Sequence, residues 1–223
     1  FGQSLQAFYG GRIDQALSHP RYRLHIVTSR GRRILHREHP VATPLGYAGA
    51  YLSNAVSRRA LGGWLERVVF SAQGAALPFD AQDFRAQTVA LHEGNFMPAL
   101  QASCSIPFAL KAVHDIPGAP AGAYWDGGIT DYHLHLNWTA PSQGPDRSIV
   151  LYPHFQQNVV PGWLDKALKW RHGASAFLDN TIVLAPNPEW VKTLPGGKLP
   201  DRTDFMTYDR DLAGRVKVWN AAA

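Results

Sequence analysis

Short stretches that read as β-strands are interleaved along this chain with stretches whose apolar residues recur at helical spacing. Such interleaving restricts the fold to an α/β layered architecture. Residues 23–29 (RLHIVTS) alternate polar and apolar side chains and are expected to form a strand closed by Arg30 and Gly31, and residues 85–91 (RAQTVAL) a second. Residues 123–126 are a short predicted strand running straight into Gly127 and Gly128, while 148–152 (SIVLY) and 181–184 (TIVL) have the continuous apolar character of buried strands. Residues 5–17 read as an amphipathic helix interrupted at Gly10 and Gly11, and 95–103 as a helix that stops ahead of Pro107. Helices are also predicted over 163–171 and 204–219. Residues 46–70 carry Tyr51, Val56, Leu61, Leu65 and Val69 at helical spacing and are expected to be a helix, or a broken pair parted at Gly62 and Gly63. The segment 141–146 (PSQGPD) is expected to be a surface loop rather than a linker, so residues 1–223 read as one domain.

Composition narrows the classes further. With 45% hydrophobic and 17% charged residues the chain can bury a sizeable core and is not disordered. Cys104 stands alone, which excludes an internal disulfide framework and argues against a thiolate zinc site. No stretch approaches the roughly 20 apolar residues that span a bilayer. The net charge of +5 is spread out, the densest group being Arg30, Arg32 and Arg33, which are expected in a solvated turn. No nucleic-acid-binding motif accompanies it. A basic surface can favour anionic membranes, so peripheral contact with a membrane is carried as an expectation beside a cytoplasmic location. The opening Phe1–Gly10 stretch has no basic region followed by an apolar one, so no signal peptide is expected and an N-terminal part is expected to be missing.

The stretch richest in chemistry runs over 102–136 (ASCSIPFALKAVHDIPGAPAGAYWDGGITDYHLHL). Asp126 ends an aromatic, half-buried predicted strand. The two glycines after it allow a positive φ or a close backbone approach. Ligands of α/β sheets bind at the carboxyl ends of strands, so an acidic group there, flanked by Tyr124 and Trp125, is a candidate general base. Asp-Gly is also a common turn dipeptide in which the aspartate accepts a bond from its own backbone two residues on. On the residues alone both roles stand.

The pairing of Ala102, Ser103, Ile106 and Pro107 at a helix end with a downstream strand finishing in Asp126, Gly127 and Gly128 resembles the patatin-like phospholipase family. The likeness runs in order, more loosely, from the helix near Leu5 to about Leu184. It implies a three-layer α/β/α fold with a mostly parallel sheet, of which residues 1–223 would be the C-terminal portion. It further implies a lipid acyl hydrolase acting on phospholipid or other lipid esters through a Ser-Asp dyad. Asp126 would be the catalytic base and Gly127 and Gly128 the supporting turn. No metal or cofactor is implied, and the partner is a lipid ester.

Two departures accompany the resemblance. The family's nucleophile sits in a G-x-S-x-G elbow ahead of the aspartate, and none precedes Asp126. Gly2-Gln3-Ser4-Leu5-Gln6 lacks the second glycine, and Gly173-Ala174-Ser175-Ala176-Phe177 lies after the aspartate and ends in Phe177. Ser4 and Ser175 therefore read as helix-flanking residues, and Ser103 and Ser105 as close-packing residues of a helix end. The serine is expected on a segment before Phe1, and the 223 residues alone are expected to be inactive. After the glycines the chain continues Ile129-Thr130-Asp131-Tyr132-His133-Leu134-His135, where the family often has an Asn-x-Pro-like segment.

Two rival functions follow. His133 and His135, placed on one face of a strand with Asp131 and His154 nearby, would suit a metal-dependent hydrolase, although H-x-H is a weak signal. A non-catalytic lipid- or partner-binding pseudo-enzyme is the other. His36, Glu38 and His39 read as a polar loop. Trp163, Leu164, Leu168 and Trp170 read as a core-facing helix stripe, with lipid contact as the alternative.

Overall fold

A five-stranded mixed sheet organises most of the chain. The computed structural model describes residues 2–72, 76–138 and 149–223, and the chain parts into two units, Phe1–Ser148 with Asn158–Asn180 and Ile149–Gln157 with Thr181–Ala223. The expected loop at 141–146 lies outside the described residues.

In the first unit, helices α1 (Gly2–Tyr9) and α2 (Ile13–Leu17) part at Gly10 and Gly11, where the apolar period is broken. Then come β1 (His25–Gly31), α3 (Ala42–Val56), α4 (Arg58–Leu61), β2 (Leu65–Ala72), β3 (Ala86–Leu91), α5 (Glu93–Ala102), β4 (Val113–His114), β5 (Ala123–Asp126) and α6 (Gly128–Asp131). The sheet order is β3-β2-β1-β5-β4. Only β2 and β3 run parallel; β1 is antiparallel to both β2 and β5, and β4 to β5. The α/β class holds, and the expectation of a mostly parallel sheet is corrected to a mixed one. The physical reason lies in the connections: α3 and α4 return the chain from β1 to β2 against its own direction.

The helix or broken pair expected over 46–70 does part at Gly62 and Gly63, after α4, but the piece beyond them is the strand β2 rather than a helix. All eight residues of β2 are buried between β1 and β3, including Glu66 and Arg67. A strand covered on both faces shows no alternation, so the helical period of α3 ran into it unopposed.

Side chains of β5 alternate between two cores. Tyr124 joins Ile26, Val68, Phe70 and Phe96 on the face covered by α5, while Ala123 and Trp125 join Leu35, Tyr47, Ala50 and Leu61 on the face covered by α3 and α4. Each large apolar side chain buried in this way contributes about 1.5–3 kcal/mol. The helix expected over 163–171 is two 3₁₀ turns, Trp163–Asp165 and Lys169–Arg171. Leu164 and Leu168 are buried there, and Trp170 is exposed.

The second unit holds β6 (Val150–Pro153) paired parallel with β7 (Thr181–Leu184), and helices α7 (Pro188–Thr193), α8 (Asp204–Thr207) and α9 (Leu212–Asn220). Both strands alternate half-buried and exposed residues rather than being buried throughout, because each has a single strand partner. The helix expected over 204–219 breaks into α8 and α9, the second capped by Asp211, whose Oδ1 accepts the Gly214 N–H at 2.8 Å. Among the described residues no helix is long and apolar enough to cross a membrane.

Candidate active site

The tip of β5 and the end of α5 are tied together. The Asp126 N–H donates to the Ser105 carbonyl at 3.0 Å, the Ser103 hydroxyl to the Val27 carbonyl at 2.8 Å, and the Ser105 hydroxyl to the Gln101 carbonyl at 2.9 Å. The two sequence elements around Ser103 and Asp126 are therefore neighbours in space, with both serines engaged in packing the helix end against the sheet.

Gly127 has an ordinary helical φ of −62°. Its lack of a side chain answers a close approach instead, since a Cβ there would stand 2.3 Å from the Val27 carbonyl oxygen. Neither Gly127 nor Gly128 adopts a positive φ. The chain turns at once into α6, and the Gly128 N–H donates to Asp126 Oδ1 at 2.7 Å. Asp126 thus fills the turn role open to it from the sequence.

The carboxylate is also half-buried and, among the described residues, has neither a cationic partner nor a donor to Oδ2. Burial pushes its pKa above the usual aspartate value, and the Gly128 N–H only partly opposes this. Its charge reaches two neighbours. Among the described residues the buried Tyr47 hydroxyl has no hydrogen-bond partner, and burial, Asp126 and Glu38 together hold its pKa well above the usual tyrosine value. The Cys104 thiol is pushed up by burial and by Asp126. Tyr47 packs edge-on against Trp125 and Phe108, at 5.7 and 5.4 Å between ring centroids. Ile106, Phe108 and Leu110 lie exposed just beyond α5. Tyr47 had no signal in the sequence, being one aromatic among the small residues of α3.

The rival metal set is not assembled as expected. Residues 132–133 form a turn and 134–136 have no regular structure, so His133 and His135 do not share a strand face. Asp131 binds Arg67, with Oδ2 2.7 Å from Nε and Oδ1 2.5 Å from Nη2, and accepts the Thr130 hydroxyl at 2.9 Å. The Val160 N–H donates to His133 Nδ1 at 3.0 Å, and His135 Nδ1 lies 3.0 Å from the Val159 carbonyl. No group of three or more His, Cys, Asp or Glu side chains among the described residues is placed to hold a metal ion.

Arg30 is not in a solvated turn but on β1, paired with buried Glu66 at 2.5 Å, and Arg32 donates to the Gly62 carbonyl at 2.7 Å. Ser175 flanks a 3₁₀ turn, Ala176–Leu178, as expected, and its Oγ accepts the Phe177 N–H at 3.3 Å. Sequence reasoning missed its second contact, 2.7 Å from His135 Nε2. These two residues line a cavity of about 360 Å³ with Arg58, Pro161, Trp170, Arg171 and Phe177; Asp126 does not line it.

Compared with protein-family models, with curated proteins and with solved structures, the chain matches none.

Proposed function

We propose that this chain carries the base of a lipid acyl hydrolase that works by a Ser-Asp dyad, as the C-terminal portion of a three-layer α/β/α patatin-like phospholipase fold. The observation that supports this most is Asp126 itself: a half-buried carboxylate at a strand tip, fixed through Oδ1 by the Gly128 N–H, with Oδ2 free of donors among the described residues. A desolvated carboxylate without a cation beside it has the raised proton affinity that a general base needs.

In this reading Asp126 Oδ2 takes the proton of a serine hydroxyl as its oxygen attacks a lipid ester carbonyl. The alcohol leaves with that proton, and water, deprotonated by the same carboxylate, releases the fatty acid. Gly127 and Gly128 hold the carboxylate in place, and exposed Ile106, Phe108 and Leu110 suit an acyl chain or a membrane surface. Ser103 and Ser105 are committed to backbone carbonyls, and in this reading the serine of the dyad stands on a segment preceding Phe1. The 223 residues alone then lack the Asp126-dependent reaction. Neither metal nor cofactor enters.

The turn bond from Gly128 supports a second reading, in which Asp126 is structural and the chain is a non-catalytic lipid- or partner-binding module. Phospholipid hydrolysis by the full-length gene product separates the two. Asp126→Asn is expected to lower the rate by about 10² or more, the usual worth of a positioned base. Undiminished hydrolysis by the variant overturns the dyad and leaves the binding module.

A further inference from the structure

The hydrogen bonds around His135 define its tautomer. The Val159 carbonyl, 3.0 Å from Nδ1, can only accept, so Nδ1 carries the ring proton. Nε2 is then the lone-pair nitrogen, and the Ser175 hydroxyl, 2.7 Å away, donates to it. His135 is buried, its ring edge-on to Phe177 at 6.4 Å, whereas Ser175 is exposed at the cavity. An imidazole oriented through one nitrogen, with the other holding a reachable hydroxyl, is the arrangement that activates a serine.

The cavity wall indicates what such a serine would meet. Arg58 and Arg171 line it, but both are paired with wholly buried Asp165, at 3.4 and 3.1 Å. Arg58 also bonds the Thr130 carbonyl at 2.6 Å and approaches Asp83 and Asp131 at 3.5 and 3.4 Å. The wall's positive charge is thus matched from inside, and an anionic ligand gains little there. Trp170, Phe177 and Pro161 supply apolar surface. At about 360 Å³ the cavity lies within the range of small-molecule sites.

We propose that Ser175 and His135 form a second nucleophilic site, independent of Asp126, that takes neutral carboxylic esters of apolar acids. The Ser175 proton passes to His135 Nε2 as Oγ bonds to the ester carbonyl carbon. The tetrahedral adduct collapses, the C–O bond to the alcohol breaks, and the leaving alkoxide takes the proton from Nε2. Water then gives a proton to Nε2 and its oxygen to the acyl carbon. Ser175 leaves with that proton, and the carboxylic acid is released.

The test treats the 223-residue chain with a fluorophosphonate probe and with p-nitrophenyl butyrate, and locates the adduct by peptide mass. One phosphonyl group on Ser175 is expected, with release of p-nitrophenol. Ser175→Ala should abolish the adduct and lower ester turnover at least about 10²-fold, with only the modest drop in melting temperature that loss of its turn bond brings; Ser4→Ala should change neither adduct nor turnover. His135→Gln should slow labelling by a similar factor. If that variant does not fold, the pH profile of Ser175 labelling in the unaltered chain reads the same base. Labelling must fall as the imidazole, which faces Arg58, Arg171, Asp83 and Asp165, becomes protonated. No adduct on Ser175, an adduct only elsewhere, or labelling indifferent to both His135→Gln and pH overturns the site.

Discussion

Arg67 of β2 and Asp131 at the end of α6 meet in a two-bond fork, Nε to Oδ2 at 2.7 Å and Nη2 to Oδ1 at 2.5 Å, both side chains essentially out of solvent. Arg67 holds Asp83 as well, Nη1 to Oδ1 at 2.7 Å. One guanidinium thus fastens the turn after β5, and so the segment that begins at Asp126, to the middle of the sheet. Replacing it by Met would leave two buried aspartates with only the longer contacts to Arg58, 3.5 Å from Asp83 and 3.4 Å from Asp131. Losing one partner of a buried pair costs about 3–5 kcal/mol. Arg67→Met is therefore expected to lower the unfolding free energy measured in urea by that much, and Arg67→Met with Asp83→Asn and Asp131→Asn to recover a large part. Recovery of none of it would show that the fork packs rather than neutralises.

Acid should loosen the same place. Burial works against the Asp83 carboxylate, but the Arg67 hydrogen bonds and charge, with Arg58, outweigh it and hold its pKa below the usual aspartate value. A group depressed in the folded state adds stability above its unfolded pKa and loses that stability as pH falls through the folded value. Thermal melts from pH 6 downward should show a decline starting near the ordinary carboxylate range. The decline should be shallower in Asp83→Asn, which starts from a lower melting temperature at neutral pH. Parallel curves would remove Asp83 as a source of acid sensitivity.

What was legible in the sequence follows from locality. The β5 strand and its turn could be read because an aromatic run meets two glycines, and α5 because its apolar residues stop ahead of a proline. The tie between them, Asp126 N–H to the Ser105 carbonyl, has no local trace in either segment. β2 was misread because burial on both faces erases the period-two signal, and because Glu66 and Arg67 look like surface residues until Arg30, Gln87, Asp83 and Asp131 are brought to them by the fold. The Ser175–His135 contact joins residues forty positions apart with no local trace in either segment. The 3₁₀ turns near Trp163 likewise depend on tertiary bonds, those that Asn54, Arg58 and Arg171 make to Asp165.

Gly127 can be tested without reference to chemistry. A Cβ there would stand 2.3 Å from the Val27 carbonyl oxygen and 3.0 Å from the Val27 Cβ, both on β1, next to the Thr28–Asp126 pair. Backbone on one side and a packed side chain on the other leave no flexible group to yield. Gly127→Ala is expected to destabilise by about 1–3 kcal/mol, the usual cost of forcing extra volume into a packed site, read as a drop in denaturation midpoint. Gly173→Ala, where an added Cβ meets nothing within 4 Å, serves as the control and should leave the midpoint unmoved. Equal behaviour of the two variants would mean that the β1–β5 seam at Val27 is looser than its geometry.

Asp126→Asn should separate stability from activity. Burial raises the Asp126 pKa in the folded chain. A group raised in this way adds stability below its unfolded pKa and loses it as pH climbs through the folded value, so at neutral pH the ionised carboxylate weighs against folding. The asparagine amide keeps an oxygen to accept the Gly128 N–H, now 2.7 Å from Oδ1, and carries no charge to desolvate. The variant is therefore expected to melt no lower than the parent near pH 4 and higher at pH 7, the gap widening with pH. A residue retained only for its turn would show the turn bond's loss on Asp126→Ala and no such widening on Asp126→Asn. A carboxylate that costs stability when charged, and whose removal also silences lipid hydrolysis by the full-length product, is one kept for its proton affinity. If Asp126→Asn instead melts lower at every pH, the charge stabilises the fold, and the proposed role of Asp126 as a base loses its support.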